Sequence, residues 1–237
     1  MTPQMPSGPS GEPVGAHPVG EPTKGHTDFE SLGAAALREY FGASFDAVAA
    51  FANLLAAEGE TRGLIGPREL DRLWERHILN SAAVVPFLGA GRIVDVGSGA
   101  GLPGLVIAAM LPTREVVLVE PMERRVAWLE EAAEKVGLTN VKVVRGRAEE
   151  VRGAVSADVL TARAVASIDK LIKWCLPLLA PNGQMALLKG RSAADEIDRA
   201  KYALRKARLV VEIESAPTLP GLEPTTVVRL RRDSQNR

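Results

Sequence analysis

The chain has 237 residues, 46% of them hydrophobic, enough for one substantial α/β domain with small additions. Lysine plus arginine equals aspartate plus glutamate at 29 each, which excludes a uniformly basic nucleic-acid coat but not a local basic face. Aromatic residues make up 4%, so any recognition of bases by stacking has few rings to use.

Residues 1–28 contain six prolines and five glycines and no aromatic residue. Such a segment buries too little surface to offset its ordering entropy, and the reading is a disordered, dispensable tail. Residues 29–90 read as a helical extension, with apolar residues at helical spacing from Phe45 to Leu55. Gly59, Gly63, Gly66 and Pro67 mark a break. A second helix is expected from Pro67, with Leu70, Leu73, Trp74, His77 and Ile78 on one face and Glu69, Arg72 and Arg76 on the other, until Pro86 ends or kinks it.

From residue 91 to 237 the pattern becomes strand–helix alternation. Strands are expected over Ile93–Gly97, Glu115–Glu120, Val141–Val144, Asp158–Thr161 and Gln184–Leu188, the last opening on a Pro181-Asn182-Gly183 turn. Helices are expected near Pro103, over Glu123–Gly137, Ile168–Leu179 and Ala193–Ala207. Two final strands, Leu209–Glu214 and Thr226–Leu230, have no helix between them and form an antiparallel hairpin at the sheet edge. The implied fold is α/β: a mostly parallel seven-stranded sheet, Rossmann-like, with helices on both faces.

The first strand runs into Asp95-Val96-Gly97-Ser98-Gly99-Ala100-Gly101-Leu102-Pro103-Gly104. Glycines after a strand let the backbone turn tightly and approach a ligand at the carboxyl edge of the sheet. Gly99, Gly101 and Gly104 satisfy the dinucleotide pattern, which by itself is weak evidence. The acid at Asp95 points elsewhere, because a carboxylate suits a cationic ligand better than a pyrophosphate. S-adenosylmethionine carries a sulfonium and an ammonium and no phosphate. Glu120 ends the second strand, where a carboxylate can accept both ribose hydroxyls of an adenosine. The bland alternative is an exposed glutamate paired with Arg124.

Four stretches narrow the reading: Trp74-Glu75-Arg76-His77-Ile78-Leu79-Asn80-Ser81, Gly101-Leu102-Pro103-Gly104, Ala162-Arg163-Ala164-Val165-Ala166-Ser167 and Leu187-Leu188-Lys189-Gly190. In this order they closely resemble the bacterial glucose-inhibited division protein B family, the class I methyltransferases of type G that act on guanine N7 in small-subunit ribosomal RNA. The resemblance runs from about Phe45 to Leu230. It implies S-adenosylmethionine as cofactor and, as partner, 16S ribosomal RNA or a partly assembled small subunit, methylated at guanine 527 in the 530 loop. It carries cofactor contacts onto Gly97, Leu102, Ala148, Glu149 and Arg163, beside Asp95, Gly99, Gly101 and Glu120 from the motif itself. Two departures stand out: Asn80 replaces the family's usual aspartate, and Gly63-Leu64-Ile65 replaces its usual Asn-Leu-Thr run.

Guanine N7 has a lone pair and no proton, so its methylation needs alignment rather than a general base. Arg163, Lys189 and His77 are the candidate catalytic groups, with no assignment among them. Arg72, Arg76, His77, Arg124, Lys189 and Arg191 are the candidate RNA contacts, supported by a net charge of +4 over residues 189–208. A satisfied core histidine and solvated helix faces are the plainer readings of the same residues. A small-molecule methyltransferase and a non-catalytic cofactor-binding regulator remain as alternatives. His17, His26 and His77 have no metal-ligand spacing and Cys175 stands alone, so no metal is expected. With no apolar run near the ~18 residues that span a membrane and no secretory leader, the expectation is a cytoplasmic monomer.

Overall fold

A computed structural model of the chain describes residues 28–233. The tail reading of 1–28 therefore lies outside the described residues except at Asp28. That residue is anything but idle: its two carboxylate oxygens accept the backbone N–H groups of Trp74 and Glu75, each at 2.9 Å.

The helical region opens with α1 (Phe29–Leu32), α2 (Ala34–Phe41) and α3 (Phe45–Glu58). The stretch Ala34–Glu58 is long and apolar enough to cross a membrane by length and composition, contrary to the expectation that no such run exists. Gly42, at φ 52°, divides it, and Leu37, Phe41, Phe45, Val48, Phe51 and Leu55 are buried in the protein's own core. The helix expected from Pro67 is not one α-helix. A 3-10 segment, Pro67–Arg72, passes into a π-helical segment, Trp74–Leu79, and then α4 (Asn80–Ala82). Changing the winding swings successive side chains off one stripe. Leu73, Trp74, His77 and Ile78 are buried as expected, while Leu70 stays half-buried and Glu69 turns to the same cavity as His77. Trp74 is held in a ring cluster with Phe29, Phe41 and Phe45, centroids 5.1 to 6.3 Å away.

The rest alternates as the spacing implies: β1 (Ile93–Val96), α5 (Gly104–Met110), β2 (Val116–Glu120), α6 (Glu123–Val136), β3 (Val141–Arg145), β4 (Ala157–Arg163), α7 (Ile168–Cys175), β5 (Leu179–Lys189), α8 (Ala193–Ala207), β6 (Leu209–Ala216) and β7 (Thr225–Arg232). The seven strands run in the order β3-β2-β1-β4-β5-β7-β6, with only β7 antiparallel to its two neighbours. Two details differ from the expected elements. Helix α7 stops at Cys175, where Pro177 enters a short 3-10 turn. Pro181-Asn182-Gly183 is not a free turn before the strand but a register shift inside β5, which lies against Ala157 at Leu179 and against Val159 only at Gln184.

Strand residues alternate between two packed layers. Ile93, Val116, Leu118, Val159 and Leu188 meet α3, α5, α6 and the helical region, while Val94, Val117, Val119, Leu160 and Leu187 meet α7 and α8. Burial on both faces is what continuous Val/Ile/Leu runs imply for a parallel sheet. Strand order reverses between β1 and β4, so a crevice opens at their carboxyl ends. Gly97, Glu120, Arg163 and Lys189 stand at or just beyond the ends of β1, β2, β4 and β5.

Candidate functional site

Three left-handed glycines, Gly97, Gly99 and Gly101, bend the loop after β1. At Gly97 a Cβ would also stand 2.7 Å from Val165, so the loop from β4 closes over it. Beneath this loop Asp95 is fully buried, its Oδ2 accepting the Gly104 N–H at 3.1 Å. Its Oδ1 has no hydrogen-bond partner. Burial pushes this carboxyl up to about 7, against the pull of the Gly104 N–H and the Arg163 charge, while the Ser98 hydroxyl donates to the Asp95 backbone carbonyl at 3.0 Å. The sequence suggested that Asp95 faces the ligand; instead it lies beneath the loop, off the cavity, and ties the loop to the start of α5. Because the folded protein holds the proton between about 4 and 7, its stability should fall as pH rises through that window and level off above it. Asp95→Asn should flatten that part of the profile. Melting curves from pH 4 to 8 check this, and an unaltered slope in the variant would contradict it.

Glu120 is 2% exposed. Its Oε2 accepts the Gly99 N–H at 2.9 Å and its Oε1 the Met122 N–H at 3.0 Å. The alternative pairing with Arg124 does not form: Arg124 is exposed and lines neither this crevice nor the two cavities beside it. The indole N–H of Trp128, on α6, donates to the Ala100 carbonyl at 3.0 Å, so this core residue also pins the glycine loop.

The loop and Glu120 form one wall of a cavity of about 660 Å³. Gly97, Gly99, Leu102, Glu120, Ala148, Glu149 and Arg163 line it, all of them expected; Asp95 and Gly101 do not reach it. A Cβ on Gly101 would meet Leu105 and Phe51, so that glycine serves packing against α5 and α3. Arg125, Arg147 and Trp174 also line the cavity and were not singled out from the sequence.

A second cavity of about 880 Å³ lies alongside, with Arg76, Asn80, Lys189 and Glu196 among its lining residues. The two share a wall of Glu69, His77, Arg163, Ala164 and Val165. On that wall His77 Nε2 is 2.7 Å from Glu69 Oε2 and Nδ1 is 3.2 Å from an Arg163 nitrogen. Arg163 also donates to the Arg76 carbonyl at 3.2 Å. Burial, and then the Arg163 charge, hold the His77 imidazole below its usual range, so it is neutral at pH 7. Ala164 adopts φ 55°, a left-handed conformation that non-glycine residues enter at a cost of about 1–2 kcal/mol. Asn80 donates to Thr225 Oγ1 at 3.0 Å, a contact that an aspartate would make by accepting instead, so the departure from the family pattern leaves this tie between α4 and β7 in place.

The basic candidates divide. Arg76 is half-exposed with only a 4.0 Å approach to Glu69. Arg72 is bound to Glu75 and Arg191 to Glu223 at the rim of a third cavity of about 620 Å³, which continues from the second past Arg76 and Lys189. Lys189 is not a free cation: its side chain is 9% exposed and lies between the Ala166 carbonyl, 2.7 Å, and Glu196, 2.8 Å. Cys175 is buried away from the site and burial pushes its thiol up to about 12, as suits an inert core residue.

The fold is that of class I methyltransferases. A putative O-methyltransferase from Klebsiella pneumoniae superposes with a TM-score of 0.53 at 13% identity, covering 78% of this chain and 90% of that one. A SAM-dependent O-methyltransferase from Thermotoga maritima gives 0.50 at 19% identity, over 77% and 72%. Much nearer in sequence is the ribosomal RNA small subunit methyltransferase G of Salinispora arenicola, 50% identical over 209 residues, 84% of this chain and 86% of that protein. Its counterpart from Paenarthrobacter aurescens is 46% identical over 82% and 91%. Residues 45–217 match the family model for rRNA small subunit methyltransferase G, and the chain belongs to that family.

Proposed function

We propose that the protein transfers the methyl group of S-adenosylmethionine to N7 of a guanine in 16S ribosomal RNA, guanine 527 of the 530 loop by the family resemblance. The observation that carries the reading is the pair of cavities joined at the Glu69–His77–Arg163 wall, one with adenosine-type features and the other open past exposed arginine. The cofactor fits the residues present. Glu120 uses one lone pair of each oxygen on a backbone N–H and keeps others for the two ribose hydroxyls. The glycine loop leaves its backbone bare beside the methionine end, and buried Ala148 offers an apolar surface to the adenine.

When bound, S-adenosylmethionine supplies an electrophilic methyl on a sulfonium. The chain's residues do the rest by placement. No base is required, since N7 presents a lone pair, and the neutral His77 braces Arg163 instead of moving a proton. Glu69 is the carboxylate that lines both cavities, and there it offsets the positive charge that the methylated ring acquires. Transfer of tritium from labelled S-adenosylmethionine to unmethylated small subunits, followed by nucleotide mapping, tests the reading; label on another base or atom would refute it.

Among the candidate RNA contacts Arg76, exposed and lining the second cavity, is the one we propose for phosphate, and Arg199 lines the same cavity. Arg76→Ala should weaken RNA binding and lower the log–log salt slope by roughly 0.7 if the contacted strand is single, with cofactor affinity unchanged. Salt titrations of RNA binding check it, and a wild-type slope would remove Arg76 from the interface.

A further inference from the structure

We propose that the Lys189–Glu196 pair reads the Watson–Crick edge of the guanine to be methylated; this deepens, and rests on, the guanine-N7 reading above. Lys189 ends β5 and Glu196 lies in the first turn of α8, and both side chains line the second cavity. They are largely withdrawn from solvent, at 9% and 16% exposure. An ammonium has three N–H donors. Two of them meet the Ala166 carbonyl and Glu196 Oε2, which leaves one for a ligand. The other Glu196 oxygen has only a long 3.4 Å contact from the Ser192 hydroxyl. The pair thus offers, side by side, one donor and a carboxylate with acceptor capacity to spare.

Guanine presents the complementary row. O6 accepts, N1–H donates and the N2 amine donates, while N7 lies on the other edge beyond O6. With N7 at the wall common to both cavities, the N1–N2 edge turns toward residues that line the second cavity alone. The carboxylates there are Asp169 and Glu196. Asp169 is exposed, and its carboxyl is held below the usual range chiefly by the neighbouring Ser167 hydroxyl. Glu196 is the one pinned in place by a buried cation. Adenine would set its N6 amine against the ammonium and its N1 lone pair against the carboxylate, both repulsive. A base lifted from the RNA into such a site is selected because a wrong base leaves buried polar groups unpaired. This also accounts for a lysine that the sequence suggested for phosphate yet is held away from solvent.

The test uses the full-length protein and small subunits assembled on semi-synthetic 16S RNA carrying guanine or inosine at the methylated position. Inosine keeps N7, O6 and N1–H and lacks only the N2 amine. The wild type should prefer guanine in kcat/KM by roughly 10- to 150-fold, the worth of one hydrogen bond to a charged group. In Glu196→Gln and Glu196→Ala that preference should shrink several-fold, with S-adenosylmethionine Kd at its wild-type value. A pair that only ties α8 to β5 would lower activity on both substrates equally. An undiminished guanine preference in either folded variant overturns the proposal, as does a wild type indifferent to inosine. If Glu196→Ala does not fold, the near-isosteric Glu196→Gln decides. Subunits carrying 7-deazaguanine separate the two levels: methyl transfer to them would refute the N7 reading itself, whatever the inosine ratio.

Discussion

Replacing Glu120 by alanine should weaken S-adenosylmethionine binding roughly 10- to 150-fold and lower thermal stability in the same variant. The first effect follows from losing charged acceptors for the ribose hydroxyls. The second follows from the geometry in the ligand-free protein, where the carboxylate holds the Gly99 and Met122 N–H groups. A fully buried donor left without a partner costs about 1–3 kcal/mol, and these part-buried ones, on half-buried Gly99 and exposed Met122, cost less. Glu120→Gln keeps one acceptor oxygen and should lose roughly half of each effect on a free-energy scale. Calorimetric titration with S-adenosylmethionine, beside melting curves, separates the two. A folded Glu120→Ala protein with wild-type affinity would remove the ribose role and leave the support of the loop. The same residue thus shapes the glycine loop and waits for the ligand, which a reading as a plain strand-end acid does not reveal.

Fold and site were unequally legible. The sheet was readable because parallel strands buried on both faces leave near-continuous apolar runs, and because Gly137 and Gly183 punctuate them at backbone turns or close approaches. The 67–82 segment was not, because apolar spacing alone does not tell α from 3-10 or π winding. That winding puts Glu69 beside His77, so the shared wall of the two cavities was invisible in the spacing. Glu120, Arg163 and most of the loop come together because strand ends in a doubly wound sheet fall in one crevice. What a charge meets across the fold has no local signal. Arg125 and Arg147 line the cofactor cavity, Arg72 and Arg191 are claimed by glutamates, and Lys189 is paired with a residue seven positions on that the sequence did not single out.

Gly104 illustrates the difference between a motif and its reason, and Gly104→Ala should be among the most destabilising single-methyl additions in the protein. The residue completes the glycine pattern, yet it does not line the cavity. A Cβ there would overlap Leu118 Cδ2 and stand 2.7 Å from Asp95 Oδ2 and 3.2 Å from Asp95 Cβ. Both neighbours are fully buried in packed layers and have nowhere to go. Overpacking of this kind costs about 1–3 kcal/mol. Displacing Asp95 from the Gly104 N–H adds about 1–3 kcal/mol more. Together these are a large part of a typical domain's 5–15 kcal/mol, and for a chain of this size they correspond to a melting-point loss of roughly 5–20 °C. Gly190→Ala is the control, since a Cβ there meets nothing within 4 Å and its melting point should stay near wild type. Differential scanning calorimetry of the two variants without ligand decides the matter. If Gly104→Ala melted like the wild type and lost only cofactor binding, the glycine would belong to the ligand and not to the packing of α5 on β2.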